Sequence, residues 1–384
     1  MKKYQVQICT ISNELTPNYI PVIHEQFMPK ELVLLASSDM DKKANDFIQV
    51  LKKNHPHTVI HTITIDDIYN LADLKSKVNS YIENYLEAHP DEEKGIVLNA
   101  TGGTKLMSFE LLSLFNSWGL DTFYFKIENS EVFFLQQPES SDSEKISLIL
   151  HPKKIDLASY VQLHNHQIIS TQKYTTSALK KALFEELIRF PDLYRPELSQ
   201  LYYEIGRSSE SLLTVPLVTP QLKVLDQFVA AKICRLEGKN LIFPSMEDKK
   251  FLMGGWFEDY VYSLVDQLAD IQALELNIQI KSAEDNVHKP NELDVGFMRY
   301  NRLYLVECKT ANYGGEARKQ GVADLNKLKT LDTLGGRSTQ LAFVSYFKVS
   351  PDMRDRAKGN HIYIIDGNDV QGLKKLLDKW SQDE

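Results

Sequence analysis

The stretch Arg302 to Thr310 reads RLYLVECKT and has the apolar character of a buried strand, yet it carries Glu307 and Lys309 two positions apart. Side chains alternate along a strand, so these two charges share one face while Cys308 takes the other. Two charges on a buried face must pair with each other, bind a metal or line a cleft. A plain glutamate-lysine pair at the surface end of a strand is the simplest alternative.

Two further carboxylates are expected near this strand. Asp294, in NELDVGFM, begins the preceding strand, and the turn RYNR makes the two strands neighbours in a hairpin that brings Asp294 close to Glu307. Glu258, in GGWFEDYVYSL, lies on an amphipathic helix whose apolar side should face the sheet. Three converging carboxylates repel one another unless a divalent cation lies between them, and oxygen ligands favour Mg²⁺ or Mn²⁺. We therefore predict a metal site formed by Glu258, Asp294, Glu307 and the backbone carbonyl of Cys308.

These residue types suit metal-assisted hydrolysis of a phosphodiester. Such a reaction needs an activated water and a compensating charge near the phosphate, and a lysine beside the acids can orient that water or neutralise the developing charge. The sequence thus predicts a hydrolytic nuclease whose catalytic residues are Glu258, Asp294, Glu307 and Lys309.

The first part of the chain alternates short apolar runs with longer segments of helical periodicity. This alternation is typical of a parallel sheet covered by helices, an α/β fold. The apolar runs are Tyr4–Thr10, Leu32–Ser37, Val59–Ile65 and Gly95–Asn99. Two later runs, Thr122–Ile127 and Glu131–Gln136, predict a hairpin.

A loop that suits phosphate follows the fourth of these runs. The stretch NATGGTKLMS, residues 99–108, leads from a strand into a helix, where ligands of open parallel sheets bind and helix N–H groups can meet phosphate. Its glycines allow close approach, and its threonines and lysine add hydroxyls and a charge. The loop after the first strand should lie at the same edge. The candidate ligand contacts are Thr10, Ser12, Thr101, Gly102, Gly103, Thr104 and Lys105.

The loop motif leaves an alternative open. It is neither GxxxxGK[ST] nor GxGxxG, and a Gly-Gly turn before a threonine-capped helix would look similar. Further along, residues 151–243 are mainly helical in pattern, which predicts a helical connector. After Pro244 the sequence predicts a helix from Gly255 to Asp270 and strands at Leu276–Ile280, Leu293–Phe297, Leu303–Lys309, Gln340–Val344 and His361–Ile365. We expect three segments, with bounds 1–150, 151–243 and 244–384.

Bulk properties narrow the class of protein. A chain of 384 residues with 43% hydrophobic residues has material for two or three cores. Its net charge of -8 argues against coating nucleic acid by charge alone. The cysteines Cys9, Cys234 and Cys308 are too scattered for a zinc site or a disulfide framework. Because no apolar stretch is long enough to cross a bilayer and no secretory signal is recognisable, we expect a cytoplasmic protein.

A basic segment after the RLYLVECKT strand could contact a phosphate backbone, although an ordinary solvated helix explains it equally well. Its charges are Arg318, Lys319, Lys327, Lys329 and Arg337. Gln320 could orient the site, and the Gly335-Gly336-Arg337 turn could allow close approach to nucleic acid. Five histidines lack a coherent ligand set and are expected to be surface or packing residues: His55, His57, His61, His164 and His166.

Two resemblances follow from these motifs. Glu258, Asp294 and the Glu307-Cys308-Lys309 triplet resemble the PD-(D/E)XK nuclease superfamily, although Asp294 follows Leu293 rather than a proline. The LNATGGTKLMS stretch resembles the ligand loop of CARF domains, the Rossmann-like sensors of CRISPR defence. A CARF domain followed by a PD-(D/E)XK domain resembles the ancillary nucleases of type III CRISPR systems.

The resemblance implies a Rossmann-like CARF sensor domain and a restriction-endonuclease-like domain joined by a helical connector. It also implies a homodimer that binds a cyclic oligoadenylate, expected to be cyclic tetra-adenylate, on its two-fold axis. The substrate would be DNA, RNA or both, cleaved with Mn²⁺ or Mg²⁺. Two other classes stay open: a nucleic-acid-binding regulator that senses the ligand without cleavage, and a ligand-independent DNA-processing nuclease. The acids argue against the first, and the TGGTK loop argues against the second.

Overall fold

The computed structural model describes residues 4–25, 27–90, 95–136, 147–152, 154–209, 211–283, 290–313 and 318–382. The first seven strands form one sheet. They are β1 (Val6–Thr10), β2 (Glu31–Ser37), β3 (Val59–Ile65), β4 (Ile96–Asn99), β5 (Asp121–Lys126), β6 (Glu131–Gln136) and β7 (Ser147–Ile149). The spatial order is β3-β2-β1-β4-β5-β6-β7. The first five are parallel, and β6 and β7 add antiparallel strands at one side, as the hairpin pattern predicts.

Helices cover both faces of this N-terminal sheet. They are α1 (Thr16–Ile23), α2 (Asp41–Asn54), α3 (Leu71–Ala88) and α4 (Lys105–Trp118), and α5 (Leu157–Gln162) follows β7. One core joins Val6, Ile8 and Leu98 to apolar side chains of α3 and α4, and the other joins the opposite face to α1 and α2. The predicted Rossmann-like architecture is confirmed.

The middle of the chain is helical but not helical alone. It contains β8 (His166–Gln172), α6 (Ala178–Arg189), α7 (Pro191–Gly206), β9 (Thr214–Pro216), α8 (Lys223–Ala230), β10 (Arg235–Glu237) and β11 (Asn240–Ile242). The last three strands form a small sheet of their own, while β8 pairs with a strand of the C-terminal sheet. Sequence periodicity missed β8 because its residues are mostly exposed and show no apolar alternation.

The C-terminal sheet carries the RLYLVECKT strand. This strand is β14 (Arg302–Lys309). Besides β14 and β8, the sheet contains β12 (Ile271–Ser282), β13 (Asn291–Arg299), β16 (Gln340–Ser345) and β17 (Ile362–Asp366), and β15 (Leu334–Arg337) is a short separate strand. The order is β17-β16-β14-β13-β12-β8. The helices here are α9 (Met246–Lys250), α10 (Trp256–Val265), α11 (Arg318–Lys329), α12 (Pro351–Gly359) and α13 (Leu373–Trp380).

The helix expected to run from Gly255 to Asp270 is shorter than predicted. A π-helical turn at Phe251–Gly255 precedes it, and α10 ends at Val265. The residues that follow form turns, and Asp270 has a positive φ of 60°, which directs the chain into β12. Trp256 is fully buried at the start of α10 and donates its indole N–H to the Tyr202 hydroxyl at 3.0 Å, so α7 packs into the same core as α10.

A buried turn ties the C-terminal sheet to the N-terminal one. Tyr300 and Asn301 both have positive φ and form the two-residue connection between β13 and β14. The Asn301 amide donates to Ser130 Oγ at 2.9 Å and to the Leu150 carbonyl at 2.5 Å. Gln272 completes the network, accepting from the Asn301 backbone N–H at 2.7 Å and donating to its side-chain oxygen at 2.8 Å. The hairpin of β13 and β14 is therefore anchored at its turn on the N-terminal half.

Two other properties match the sequence. The three cysteines are buried and free. Among the described helices, none combines the length and apolar character that a membrane span requires.

Candidate functional site

The TGGTK loop, Thr101–Lys105, and the loop after β1 meet at the carboxyl edge of the N-terminal sheet, as predicted. A Cβ built on Gly102 would lie 2.2 Å from the Thr10 carbonyl oxygen, and one on Gly103 would lie 2.6 Å from Thr10 Cγ2. Gly103 also has a positive φ of 81°. Gly102 therefore lies against the Thr10 backbone and Gly103 against the Thr10 side chain, so a larger residue at either position would clash.

Buried amides hold these loops, and sequence reasoning missed them. Asn18 on α1 donates to the Thr10 carbonyl at 3.0 Å, and Asn99 at the end of β4 donates to the Pro17 carbonyl at 2.9 Å. Both asparagines are fully buried. For Asn99, the sequence did contain a signal, because this polar residue ends the otherwise apolar strand β4 just before the loop.

The hydroxyls of the loop differ in what they do. Thr101 donates to Asn99 Oδ1 at 2.6 Å and accepts from the Phe125 N–H at 2.7 Å, so its hydroxyl belongs to the fold. Thr104 caps α4 by accepting from the Met107 N–H at 3.2 Å. Lys105, the first residue of α4, is exposed, and Ser12 is half-buried with its hydroxyl on the Glu14 carbonyl at 3.0 Å. The surface offered to a ligand thus combines a helix N-terminus, a lysine and glycine backbone.

The structure brings Asp294, Glu307 and Lys309 together. Pairing of Val295 with Val306 sets Asp294 opposite Glu307, and both carboxylates are buried, with 7% and 5% of their surface exposed. Lys309 Nζ lies 2.5 Å from Glu307 Oε1 and 3.6 Å from Asp294 Oδ2. Asp294 also accepts the Cys308 backbone N–H at 2.6 Å. Lys309 therefore bridges the two carboxylates.

Glu258 joins this cluster electrostatically. Burial, and after it the charge of Asp294, raises the pKa of Glu258, and the same two causes raise the pKa of Glu307. Burial likewise raises the pKa of Asp294. Burial disfavours the charged form of Lys309, but Asp294 and Glu307 outweigh it and raise the pKa of the ammonium. Three carboxyl groups thus share one lysine, and burial favours their neutral form unless further positive charge is supplied.

The cluster fits a divalent cation by its chemistry. Three carboxylates whose pKa values are raised by burial and by one another are stabilised by a cation that takes their charge. As the side chains stand, no set of three His, Cys, Asp or Glu residues within the described ranges is arranged to hold a metal ion. Lys309 fills the space between Asp294 and Glu307 instead. The Cys308 thiol packs on the opposite face in the apolar core, so Cys308 offers only its backbone to this site.

The expected basic segment falls partly around this cluster. Lys327 on α11 is exposed, donates to the Glu292 carbonyl at 3.4 Å and lowers the pKa of Glu307 by its charge. Lys319 is exposed on the same helix, and Lys329 pairs with Asp332 at 2.9 Å. Gln320 donates to Asp324 at 2.8 Å rather than to the cluster. The side chains of Arg318 and Arg337 lie outside the described part of the chain.

The Gly335-Gly336-Arg337 turn, expected to approach nucleic acid, packs through Gly336 against residues far away in the chain. Gly336, with a positive φ of 73°, packs against the other half of the chain: a Cβ built there would lie 2.7 Å from Glu14 Oε2 and 2.8 Å from His164 Cε1. His164 is buried and bonds Thr16 Oγ1 through Nε2 at 3.2 Å. Burial lowers the pKa of His164 and so disfavours a charged pair with Glu14, whose Oε1 lies 3.9 Å from Nδ1. We call Glu14, His164 and Gly336 the interdomain contact.

The fold and these two sites define the class of protein. A Rossmann-like domain with the TGGTK loop at its carboxyl edge precedes a sheet whose central hairpin brings Asp294, Glu307 and Lys309 together.

Family models identify both domains. Residues 6–160 match the Card1 CARF domain, and residues 245–384 match the Card1-like endonuclease domain. The two models together match most of the chain, which therefore combines a Card1 CARF domain with a Card1-like endonuclease domain. The protein is an endonuclease. A comparison with curated proteins gave no match.

Solved structures share the architecture. Protein VC1899 from Vibrio cholerae matches with a TM-score of 0.80 and 22% identity over 98% of each chain. Can2 from Sulfobacillus thermosulfidooxidans, solved in complex with cyclic tetra-adenylate, matches with a TM-score of 0.73 and 23% identity over 99% of this chain and 97% of its own. A type III CRISPR defence DNA nuclease activated by cyclic oligoadenylate matches with a TM-score of 0.56 and 16% identity, over 90% of this chain and 46% of its own. These likenesses establish a shared fold.

The contact between the two loops predicts a specific cost. Gly102→Ala should destabilise the protein by about 1–3 kcal/mol, because the added methyl group meets the Thr10 carbonyl and the loops must separate. Gly359→Ala, where a Cβ meets nothing within 4 Å, is the matched control and should leave the melting temperature nearly unchanged. Thermal unfolding measures both. Equal melting temperatures for the two variants would contradict the proposed close approach.

Proposed function

We propose that this endonuclease is a homodimer activated by a cyclic oligoadenylate, cyclic tetra-adenylate in the first instance, and that it cleaves DNA or RNA with Mn²⁺ or Mg²⁺. One observation carries the proposal. The same chain contains the TGGTK loop, whose glycines lie against Thr10, and the cluster of Asp294, Glu307 and Lys309. The complex of Can2 with cyclic tetra-adenylate supports this choice of activator.

The sensor side offers the chemistry that a cyclic oligoadenylate needs. Its phosphates require N–H donors and positive charge, which the first turn of α4, Lys105 and the Gly102-Gly103 backbone provide. Thr10 and Ser12 lie on the facing loop, within contact of the glycines. We propose that Thr10, Ser12 and Thr101–Lys105 form one subunit's half of the ligand site, with Thr101 acting through the loop conformation.

An exposed apolar surface beside the loop supports the homodimer. Leu106 and Phe109 lie on one face of α4, immediately after Lys105, with 47% and 68% of their surface exposed. Adjacent exposed apolar side chains of this size indicate a protein interface. A second copy of the chain placed there would bring two ligand loops together across a two-fold axis.

On the nuclease side, Glu258, Asp294, Glu307 and the Cys308 carbonyl would hold the metal, and Lys309 would stay within reach of the same phosphate. The bound metal supplies charge stabilisation and an activated water. Asp294 is fixed by the Cys308 N–H and would keep its orientation if a cation took the place of Lys309 between the carboxylates. Lys309, raised in pKa by the acids, remains a cation and can bind a phosphate oxygen.

The interdomain contact gives the ligand a path to the nuclease. Ser12 bonds the Glu14 carbonyl, and the Glu14 side chain meets Gly336 on β15. Cavities of about 730 and 830 Å³ border this contact, and both are lined by Glu14 on one side and Gln340 on the other. A shift of the Ser12 loop on ligand binding therefore reaches β15 and β16 through a narrow contact with open space around it, while the Asn301 turn holds the hairpin in place.

The nuclease assignment predicts a loss of chemistry without a loss of sensing. Glu307→Gln or Lys309→Ala should reduce cleavage by about 10²-fold or more, because each removes a charged group from the reacting phosphate. Binding of labelled cyclic tetra-adenylate should not change, since the ligand loop lies in the other domain. Glu247→Gln, an exposed glutamate on α9, is the control for losing one carboxylate. Unreduced cleavage by either active-site variant would sink the assignment.

The sensor assignment predicts a shift in activator concentration. Lys105→Ala should raise the cyclic tetra-adenylate concentration needed for half-maximal cleavage by about tenfold or more, since each subunit loses one charge-assisted contact to phosphate. Maximal cleavage at saturating activator should be kept. Lys52→Ala, also an exposed lysine near a helix end, serves as the control. The same half-maximal concentration in Lys105→Ala as in the parent protein would place the activator elsewhere.

If the interdomain contact transmits the signal, a substitution there should uncouple ligand binding from activation of cleavage. Glu14→Ala should still bind cyclic tetra-adenylate, yet activation should fall about 5- to 100-fold, the range of a coupling free energy of 1–3 kcal/mol. The physical reason is that the side chain touching Gly336 is gone while the glycines of the ligand loop are intact. Glu87→Ala on the exposed side of α3 is the control. Full activation in Glu14→Ala would show that the signal travels by another route.

A further inference from the structure

A groove lies beside the carboxyl end of the strand that carries Glu307 and Lys309. Its cavity of about 570 Å³ separates α7 from the segment that follows β14, and its lining includes Arg195, Ser199, Tyr203, Asn312 and Phe347. Asn312 is three residues beyond Lys309. On the other wall Tyr346, next to Phe347, donates its backbone N–H to the Lys309 carbonyl at 2.8 Å. Asn312 and Phe347 thus place the groove next to the segment that leaves the end of β14.

Tyr203 presents an open aromatic ring to this groove. It has 62% of its surface exposed, whereas its neighbour Tyr202 turns inward to accept the Trp256 indole N–H. One turn further along α7, the Arg207 guanidinium lies over the Tyr203 ring at 5.7 Å from its centroid. Pro196, Ser199 and Tyr203 follow one another at helical spacing along the groove. An aromatic ring supported by an arginine is the platform on which nucleic acid bases stack.

Arg195 forms a fixed polar wall of the same groove. Its Nε donates to the Tyr346 carbonyl at 2.8 Å and its Nη1 to Asn368 at 2.8 Å, so the guanidinium is held in place. Its Nη2 is screened from solvent and has no hydrogen-bond partner among the described residues. The guanidinium therefore shapes the wall of the groove, and the exposed ring of Tyr203 is the surface that a ligand in the groove can reach.

We propose that this groove binds an unstacked base of the nucleic acid strand held in the catalytic site, with Tyr203 as the stacking residue. The proposal rests on the proposed nuclease function. Tyr203 touches a base that does not react, so it positions the substrate and is not catalytic. A stacked base requires a single strand or a base turned out of a duplex, because paired bases already stack on their neighbours.

Binding to the full-length Glu307→Gln protein, with cyclic tetra-adenylate present, tests the proposal without cleavage. Fluorescence anisotropy with a labelled single-stranded oligonucleotide should show about 5- to 100-fold weaker binding after Tyr203→Ala. Tyr203→Phe, which keeps the ring, should bind like the parent. Tyr69→Ala removes an equally exposed tyrosine from the sensor domain and is the matched control. In the active protein, Tyr203→Ala should raise KM and leave kcat unchanged.

The outcomes separate this inference from the proposed function. Parental affinity and KM in Tyr203→Ala, in a protein that cleaves when activated, would overturn the stacking role alone. Equal losses in Tyr203→Ala and Tyr203→Phe would also overturn it, because the ring would then not be the binding element. Oligonucleotide binding that depends on Tyr203 in a protein that never cleaves would uphold the inference and reject the activator or the metal. A wild-type protein that neither binds nor cleaves the strand would overturn both.

Discussion

The arrangement depends on one buried amide network at the turn between β13 and β14. Asn301 is 2% exposed and satisfies its side-chain amide with Ser130, Leu150 and Gln272, which come from both halves of the chain. Buried polar groups that are fully paired specify a single geometry, since any other arrangement leaves a donor or acceptor without a partner. The hairpin that presents Asp294, Glu307 and Lys309 is thus held from its turn end by the CARF domain.

The hairpin of β13 and β14 is fixed at its turn and can adjust at its far end, an arrangement that suits a regulated enzyme. At the turn the contacts are short and buried, while the interdomain contact near Gly336 is bordered by two cavities. At the far end of the hairpin, burial raises the pKa values of Asp294 and Glu307, and the charge of Lys309 offsets part of that rise. Entry of a cation would favour the ionised carboxylates and so change this cluster more than it would a neutral core.

Several features were accessible from sequence because they rest on local rules. Alternation of side chains along β14 set Glu307 and Lys309 on one face. The two-residue turn Tyr300-Asn301, within RYNR, set Asp294 opposite Glu307. The strand-glycine-helix order of the TGGTK loop located the sheet edge, and the Card1 family models confirm the fold class and the enzyme class. Strand β8 and the interdomain contact were not accessible, because their partners lie more than 100 residues away in the chain.

The sequence by itself determined which residues are suited to chemistry: three acids and a lysine around a hairpin, and a glycine pair before a capped helix. These follow from side-chain type and the periods of strand and helix, which need no knowledge of distant contacts. Only the tertiary structure decided that Lys309 lies between two carboxylates, that the Thr101 hydroxyl is used by the fold and that Gly336 meets the CARF domain. The physical reason is that packing joins segments remote in sequence, and those contacts fix each side chain's partner.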